Sequence, residues 1–294
     1  MQFDSPDINL LFHWNNQPLD DFEGLSPNQM HGLLHKPFSE SDSPLRINHN
    51  LCVDVLNRIP FYRDIFRFLT ALQEEQPLKL TPKGNLPRKF CRDLYDMGVK
   101  DEDLLMLKNH PINVEMDSPY ILVINHFTKM MGLTKTRYNR LSLTIKGAGK
   151  LKRPEDNDFF LEILSAYTQN LNWGFIDGYP RSWILQAGFG FSILLVQKHG
   201  QEERDIEFYS GKYLKAFPKA TADFPNRTYF TPEQSFRNAY KLRVFERFLR
   251  RFAFIEITEN DIRNQSFKIK KIDLVDKIIS WQHLGLSGLI SNTS

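Results

Sequence analysis

Two histidines four residues apart, His31 and His35, would share one face of a helix, a spacing by which a helix can offer two ligands to zinc. Between them lie Gly32, Leu33 and Leu34. The glutamate that an H-E-x-x-H site needs as general base is missing, so the pair reads as ordinary surface residues. Acids with a nearby lysine, the set used in metal-dependent phosphodiester cleavage, occur as Asp205-Ile206-Glu207 followed by Lys212. The interval from Glu207 to Lys212 does not suit neighbouring positions on one strand, and Glu115, Asp117 and Asp177 stand apart as further acids. Gly188-Phe189-Gly190 is a lone G-x-G without a phosphate-loop context; G-x-S-x-G, Walker and G-x-G-x-x-G patterns are absent. Cys52 and Cys91 are the two cysteines, too few for a disulfide scaffold or a cysteine-rich zinc module. Both are expected to be small core residues in a reducing cytoplasm. No catalytic residue, metal or cofactor is assigned. Whether the chain is an enzyme stays open, with a non-catalytic role favoured.

Charge is the stronger signal. The 294 residues carry 38 Lys+Arg and 35 Asp+Glu, a net of +3 that hides segregation. Residues 1–43 hold seven acids and one base. Residues 129–153 hold eight bases (Lys129, Lys135, Arg137, Arg140, Lys146, Lys150, Lys152, Arg153) and no acid, and residues 231–253 hold six bases against Glu233 and Glu246. Such a run reports on partners more than net charge does. Either it is a polyanion-binding face, most simply for nucleic acid, or it is a solvated surface, or it docks on the acidic segment 1–43.

The elements that must position these residues follow from apolar periodicity and caps. Ser26-Pro27-Asn28-Gln29 is a capping box with proline at the first helical position, starting a short helix to about Leu34. Residues 38–50 look like a loop. Phe61, Ile65, Phe68 and Leu72 give an amphipathic helix over 60–76 that Pro77 ends. A short strand at 78–81, a turn at 82–85, a helix over 87–97 closed by Gly98 and another short helix near Asp101 follow. Ser118-Pro119 starts a helix that stops at Gly132. Residues 133–144 form a hairpin turning near Tyr138-Asn139. Phe159 to Tyr167 suits one helix, and 183–198 suits another that is buried; the most apolar window within it, 188–196, is too short to cross a bilayer. Thr231-Pro232-Glu233-Gln234 is a second capping box; its helix runs to about Phe252 with Phe236, Tyr240, Val244, Phe248 and Phe252 on one ridge. Arg243, Arg247 and Arg250 lie on another face. A second hairpin (254–258 with 267–272) and a last helix (274–281) complete the chain. The N-terminus lacks a basic n-region followed by an apolar h-region, so no secretory signal is expected and the cytoplasm is the expected location.

One echo stands out. Leu78-Lys-Leu-Thr-Pro-Lys-Gly84 and Leu141-Ser-Leu-Thr-Ile-Lys-Gly147 agree at five of seven positions. Both follow an amphipathic helix, and the C-terminal block repeats the order helix, hairpin, helix. LTPKG at 80–84 and LTIKG at 143–147 resemble the L-T-x-K-G segment that ends the wing in MarR- and PadR-like winged-helix regulators. The string LKLTPKGNLPRKF (78–90) is also similar to a group of uncharacterised bacterial proteins, which implies no activity. The winged-helix resemblance implies a recognition helix in the major groove and a hairpin on the neighbouring backbone.

The expected fold is therefore α+β and mainly helical, with tandem winged-helix-like units and short hairpins. Its expected parts are an acidic segment with one short helix (1–50), two winged-helix-like units (51–153), an aromatic-rich helical middle (154–230) and a C-terminal winged-helix-like unit (231–294). The expected function is non-catalytic nucleic-acid binding of regulatory or accessory type through Lys129, Lys135, Arg137, Tyr138, Arg140, Lys146, Lys150, Arg243, Arg247 and Arg250. A protein–protein module, with a protein partner or as a homo-oligomer, is the alternative, and a metal-dependent nuclease the weaker one. No membrane association is expected.

Overall fold

A computed structural model describes residues 13–100, 112–175, 177–226, 228–261 and 266–282. The helix expected near Asp101 lies outside them, as do His110 and His283. The fold is α+β and mainly helical, and among the described residues no helix is long and apolar enough to cross a membrane. The chain divides into two compact units, 52–171 and 1–51 with 172–294. The break after Leu51 lies one residue from the expected boundary, whereas the one after Leu171 falls inside the middle part expected over 154–230.

The first stretch gives the second unit α1 (Pro27–His35) and β1 (Leu45–Ile47). In α1 the Ser26 hydroxyl accepts the Gln29 amide at 3.3 Å and the Gln29 side chain accepts the Ser26 amide at 2.9 Å, the expected capping box. β1 lies in the span expected to be a loop.

Unit 52–171 begins with α2 (Val53–Asn57) and α3 (Pro60–Glu75), then β2 (Leu78–Lys79), α4 (Arg88–Asp96) and α5 (Pro119–Met130). β3 (Thr134–Arg137), β4 (Arg140–Leu143), α6 (Ile145–Leu151) and α7 (Asn157–Ser165, continuing as a wider π turn through Asn170) complete it. Phe61, Ile65, Phe68 and Leu72 of α3 are all fully buried, and Phe61 meets Phe127 of α5 at 5.0 Å and Tyr167 at 4.8 Å between ring centres. The one acid among these apolar residues, Asp64, takes the Arg67 guanidinium at 3.1 Å and the Tyr120 hydroxyl at 3.1 Å. The three strands form one antiparallel sheet in the order β2-β4-β3, with Leu78 opposite Leu141 and Thr136 opposite Leu141. The two similar segments are thus neighbours in a single sheet, and 52–171 is one compact unit, where two winged-helix-like units were expected over 51–153.

The other unit resumes with α8 (Trp183–Ala187) and α9 (Phe189–His199). One helix was expected here. It breaks at Gly188, where a Cβ would lie 1.9 Å from the Tyr213 hydroxyl, itself donating to the Ile184 carbonyl at 2.6 Å. β5 (Arg204–Asp205) and α10 (Ile206–Ala216) precede α11 (Pro232–Tyr240), which opens on the expected Thr231 capping box and widens into π-helical turns over Lys241–Leu249. Phe236, Tyr240, Val244, Phe248 and Phe252 are all fully buried. β6 (Ile255–Asp261) and β7 (Ser266–Lys271) form the expected hairpin, with β5 on the other edge of β7. α12 (Leu274–Ile278) is shorter than expected, because the chain turns into β8 (Ile279–Trp281) to pair with β1, Leu45 opposite Trp281. Through β5 and β1 the segment after 231 is built into this unit, and does not fold as a separate C-terminal one.

Candidate nucleic-acid interface

The hairpin of β3 and β4 turns over two residues, Tyr138 and Asn139, both with positive φ (49° and 55°), as a primed two-residue turn requires. Asn139 tolerates this conformation and uses it: its Nδ2 donates to the carbonyls of Leu80 at 3.2 Å and Thr81 at 3.1 Å, and its own carbonyl accepts the Leu80 amide at 3.0 Å. The hairpin tip is thereby fastened to the turn that follows β2, where Gly84 (φ 79°) closes a bond to the Thr81 carbonyl and Lys83 stands exposed. Tyr138 has no such task. The residue is 84% exposed, its side chain makes no hydrogen bond among the described residues, and the Arg137 guanidinium sits 5.0 Å from the ring centre. A bulky side chain in the left-handed region costs about 1–2 kcal/mol.

Residues directly opposed across an antiparallel sheet share a face, and successive residues alternate. Leu78 and Leu141 point into the core, so Lys79, Arg140 and Arg137, opposed in register across the three strands, point out. Lys135, opposite Ser142, stands two residues along on the same face. All four cations are exposed, none forms an ion pair among the described residues, and neither 78–85 nor 134–144 contains an acid. Like charges directly opposed are destabilising to a sheet.

The other expected binding residues separate from this face. Lys146 bonds Glu162 at 2.8 Å, and Lys150 bonds Asp156 and Glu162, each at 3.0 Å. Partial burial works against the charge on Lys150, but its bonds to Glu162 and Asp156 overcome this and lift its pKa above the ordinary lysine value. The acids lie just beyond the 129–153 run. Lys129 is half-buried near the end of α5, and burial lowers its pKa against the pull of Glu115. Asn125, a conceivable base reader, is buried and donates to Glu115 at 2.6 Å, whose other oxygen accepts the Leu86 amide at 2.8 Å.

The arginine stripe is corrected outright for Arg243. Its side chain is 2% exposed and grips the wholly buried Asp177 through two bonds, at 2.7 and 3.0 Å, with a third to the Tyr179 carbonyl at 3.1 Å. Arg247 lies 3.5 Å from the same carboxylate and donates to the Phe175 carbonyl at 3.1 Å and the Trp173 carbonyl at 3.3 Å. The two arginines hold Trp173, Phe175, Asp177 and Tyr179 in place, and Arg250 is half-buried in the same turns. Lys79 and Lys83 were missed, although the 78–84 echo held both.

The candidates for catalysis are likewise occupied. Asp205 caps α10 by accepting the Phe208 amide at 2.8 Å, Glu207 meets Arg237 at 3.3 Å, and Lys212 bonds Glu23 at 2.6 Å. Glu23 also takes His199 at 2.9 Å, so this acid of the N-terminal segment is matched by neither of the two basic runs. His35 stacks on Trp183 with ring centres 5.3 Å apart, and His31 lies tilted against His35 at 4.5 Å. Cys91 is buried, and burial together with the charges of Glu115 and Asp117 pushes its thiol up to about 12, away from a nucleophile's range. Cys52 is exposed, contrary to expectation. Among the described residues no three His, Cys, Asp or Glu gather as metal ligands. No protein-family model matches this chain, and no curated protein or solved structure is significantly similar to it.

Proposed function

We propose that residues 52–171 are a winged-helix-like unit that binds the phosphate backbone of a nucleic acid across the outer face of its sheet, without catalysis and in a regulatory or accessory role. The order α3, β2, α4, α5, β3, β4, with strand order β2-β4-β3, supports the first half: three helices, a strand between the first two, and a closing hairpin. One observation carries the second half: four exposed cations, Lys79, Lys135, Arg137 and Arg140, share a face with no acid among them. Lys and Arg on a projecting sheet supply affinity without sequence information.

Fluorescence anisotropy with random duplex DNA, single-stranded DNA and RNA at 50 and 200 mM salt, with and without magnesium, tests this. Four phosphate contacts give a slope of log K against log salt of about −3.6 on duplex and −2.8 on a single strand, roughly a hundredfold loss of affinity over that range on duplex. Reversing Lys135, Arg137 and Arg140 to Glu is expected to abolish binding while leaving the thermal midpoint near that of the wild type. Unchanged affinity in that variant refutes the proposal, and salt-insensitive binding would point to a protein-facing surface instead. Magnesium-dependent cleavage would replace a binding role with a nuclease.

A further inference from the structure

We infer that the nucleic acid is single-stranded and that Tyr138 stacks on one of its bases while the backbone crosses the row Lys79, Arg140, Arg137. The inference rests on the phosphate-binding role proposed above.

Two observations point away from a duplex read in its groove. Base edges are read mainly by Arg, Lys, Asn, Gln, Ser, Thr or carboxylate side chains on the inserted helix. The outward positions of α5 are Leu122, His126, Lys129 and Met130, and its one amide, Asn125, is turned inward onto Glu115. Lys129, the one lysine of that helix, is half-buried, and burial disfavours its charge. The helix therefore turns outward only two polar side chains, His126 and the half-buried Lys129, and its one amide is held away from a base edge.

The tip of the hairpin offers what a single strand needs. Single-stranded nucleic acid is held by cations that track the backbone and by aromatic rings on which unstacked bases lie. Tyr138 is the most exposed aromatic of this unit, at 84%, and is held in a left-handed conformation that the turn could satisfy with a smaller residue. Its neighbours are cationic: the Arg137 guanidinium is beside the ring, and Lys83 stands in the turn that Asn139 fastens to the tip. The row behind it crosses three strands, a width of about 10 Å. A base on the ring would leave its phosphates over Arg137 and Arg140.

The test uses the full chain, a 12-nucleotide DNA carrying one 2-aminopurine, and the duplex of the same sequence. Stacking on Tyr138 quenches the 2-aminopurine, and the single strand binds more tightly than the duplex at equal salt. Tyr138→Asn keeps a residue suited to the turn and removes the ring. It is expected to lose about 5- to 100-fold of single-strand affinity, to abolish the quench and to leave the salt slope intact, whereas Tyr138→Phe behaves as the wild type. Equal single-strand affinity in wild type and Tyr138→Asn, or tighter duplex binding by the wild type, overturns the stacking inference and leaves the phosphate-binding role standing. No binding of either probe at low salt overturns both.

Discussion

Arg243 separates a structural arginine from a ligand-binding one. Replacing it by Met keeps most of the stem and removes the guanidinium, stranding the Asp177 carboxylate, which has no exposure to water. Breaking a buried ion pair from one side costs about 3–5 kcal/mol. Here two bonds to the carboxylate and one to the Tyr179 carbonyl are lost, but Arg247 remains 3.5 Å away and the Tyr179 amide still donates to Asp177 at 3.0 Å. The expected loss is therefore at the lower end, about 3 kcal/mol. Urea unfolding followed by tryptophan fluorescence reads it cleanly. Trp14, Trp173, Trp183 and Trp281 all belong to the unit that contains Asp177, and 52–171 contains none. Replacing both partners, Arg243→Met with Asp177→Leu, should recover much of the loss, because a well-packed apolar pair can stand in for a buried ion pair. Acid gives a second readout. Burial raises the Asp177 pKa, but the Arg243 bonds, the Tyr179 amide and the charge of Arg247 outweigh it and hold the carboxyl below the usual range. A depressed folded pKa stabilises above the unfolded value of about 3.9, and the contribution disappears as pH falls through the folded one. Wild type should thus lose more stability than Asp177→Asn between about pH 5 and pH 2. A cost below about 1 kcal/mol for Arg243→Met, or a loss of nucleic-acid affinity at unchanged stability, would refute the structural assignment and restore the stripe as a ligand site.

Phe248→Ala should cost about 3–5 kcal/mol, because its ring is fully buried and touches Trp173 at 5.0 Å, and the same fluorescence assay reports it. Gly147→Ala would place a Cβ 2.1 Å from the Leu133 carbonyl. It should destabilise 52–171 by about 1–3 kcal/mol or more in circular-dichroism melts, whereas Gly84→Ala meets no atom and should show only the smaller cost of its positive φ. Arg140→Glu converts two opposed like-charge pairs into attractive ones. Hydrogen exchange of the β4 amides should slow slightly, and affinity for single-stranded DNA should fall at least tenfold; faster exchange would show that the row is not repulsive.

Local signals in this sequence were legible because local chemistry makes them. The capping boxes at Ser26 and Thr231 and the turn at Tyr138-Asn139 satisfy their own backbone groups within a few residues, and all three form as expected. Strand pairing was not legible. Leu-x-Leu-Thr is what any strand with one buried face requires, so two neighbours in one sheet look alike for the same reason that two repeats would. The shared Lys-Gly was equally ambiguous: Gly84 is needed for its φ, Gly147 for the approach of Leu133. β1 and β8 were missed because three residues give too little periodicity, and their partner is more than two hundred residues away. The candidate site divides along the same line. A charge count over 129–153 cannot see Asp156 and Glu162, and the arginine stripe cannot disclose an aspartate 66 residues earlier.

The distribution of ion pairs bears on function more than their number. This chain has almost as many acids as bases, and folding has brought an acid to Lys146, Lys150, Lys212 and Arg243. Among the described residues it has brought none to Lys79, Lys135, Arg137 or Arg140, and it opposes three of these in register, where mixed or neutral pairs would suit the sheet better. Solubility alone does not select that arrangement, since cations dispersed over the surface provide it equally well. The proposed polyanion would account for it, because its phosphates would turn the repulsion within the row into attraction only when bound. That is why Arg140→Glu is informative: a passive surface predicts a gain in hairpin stability and nothing else, whereas a binding face predicts that gain together with a loss of affinity.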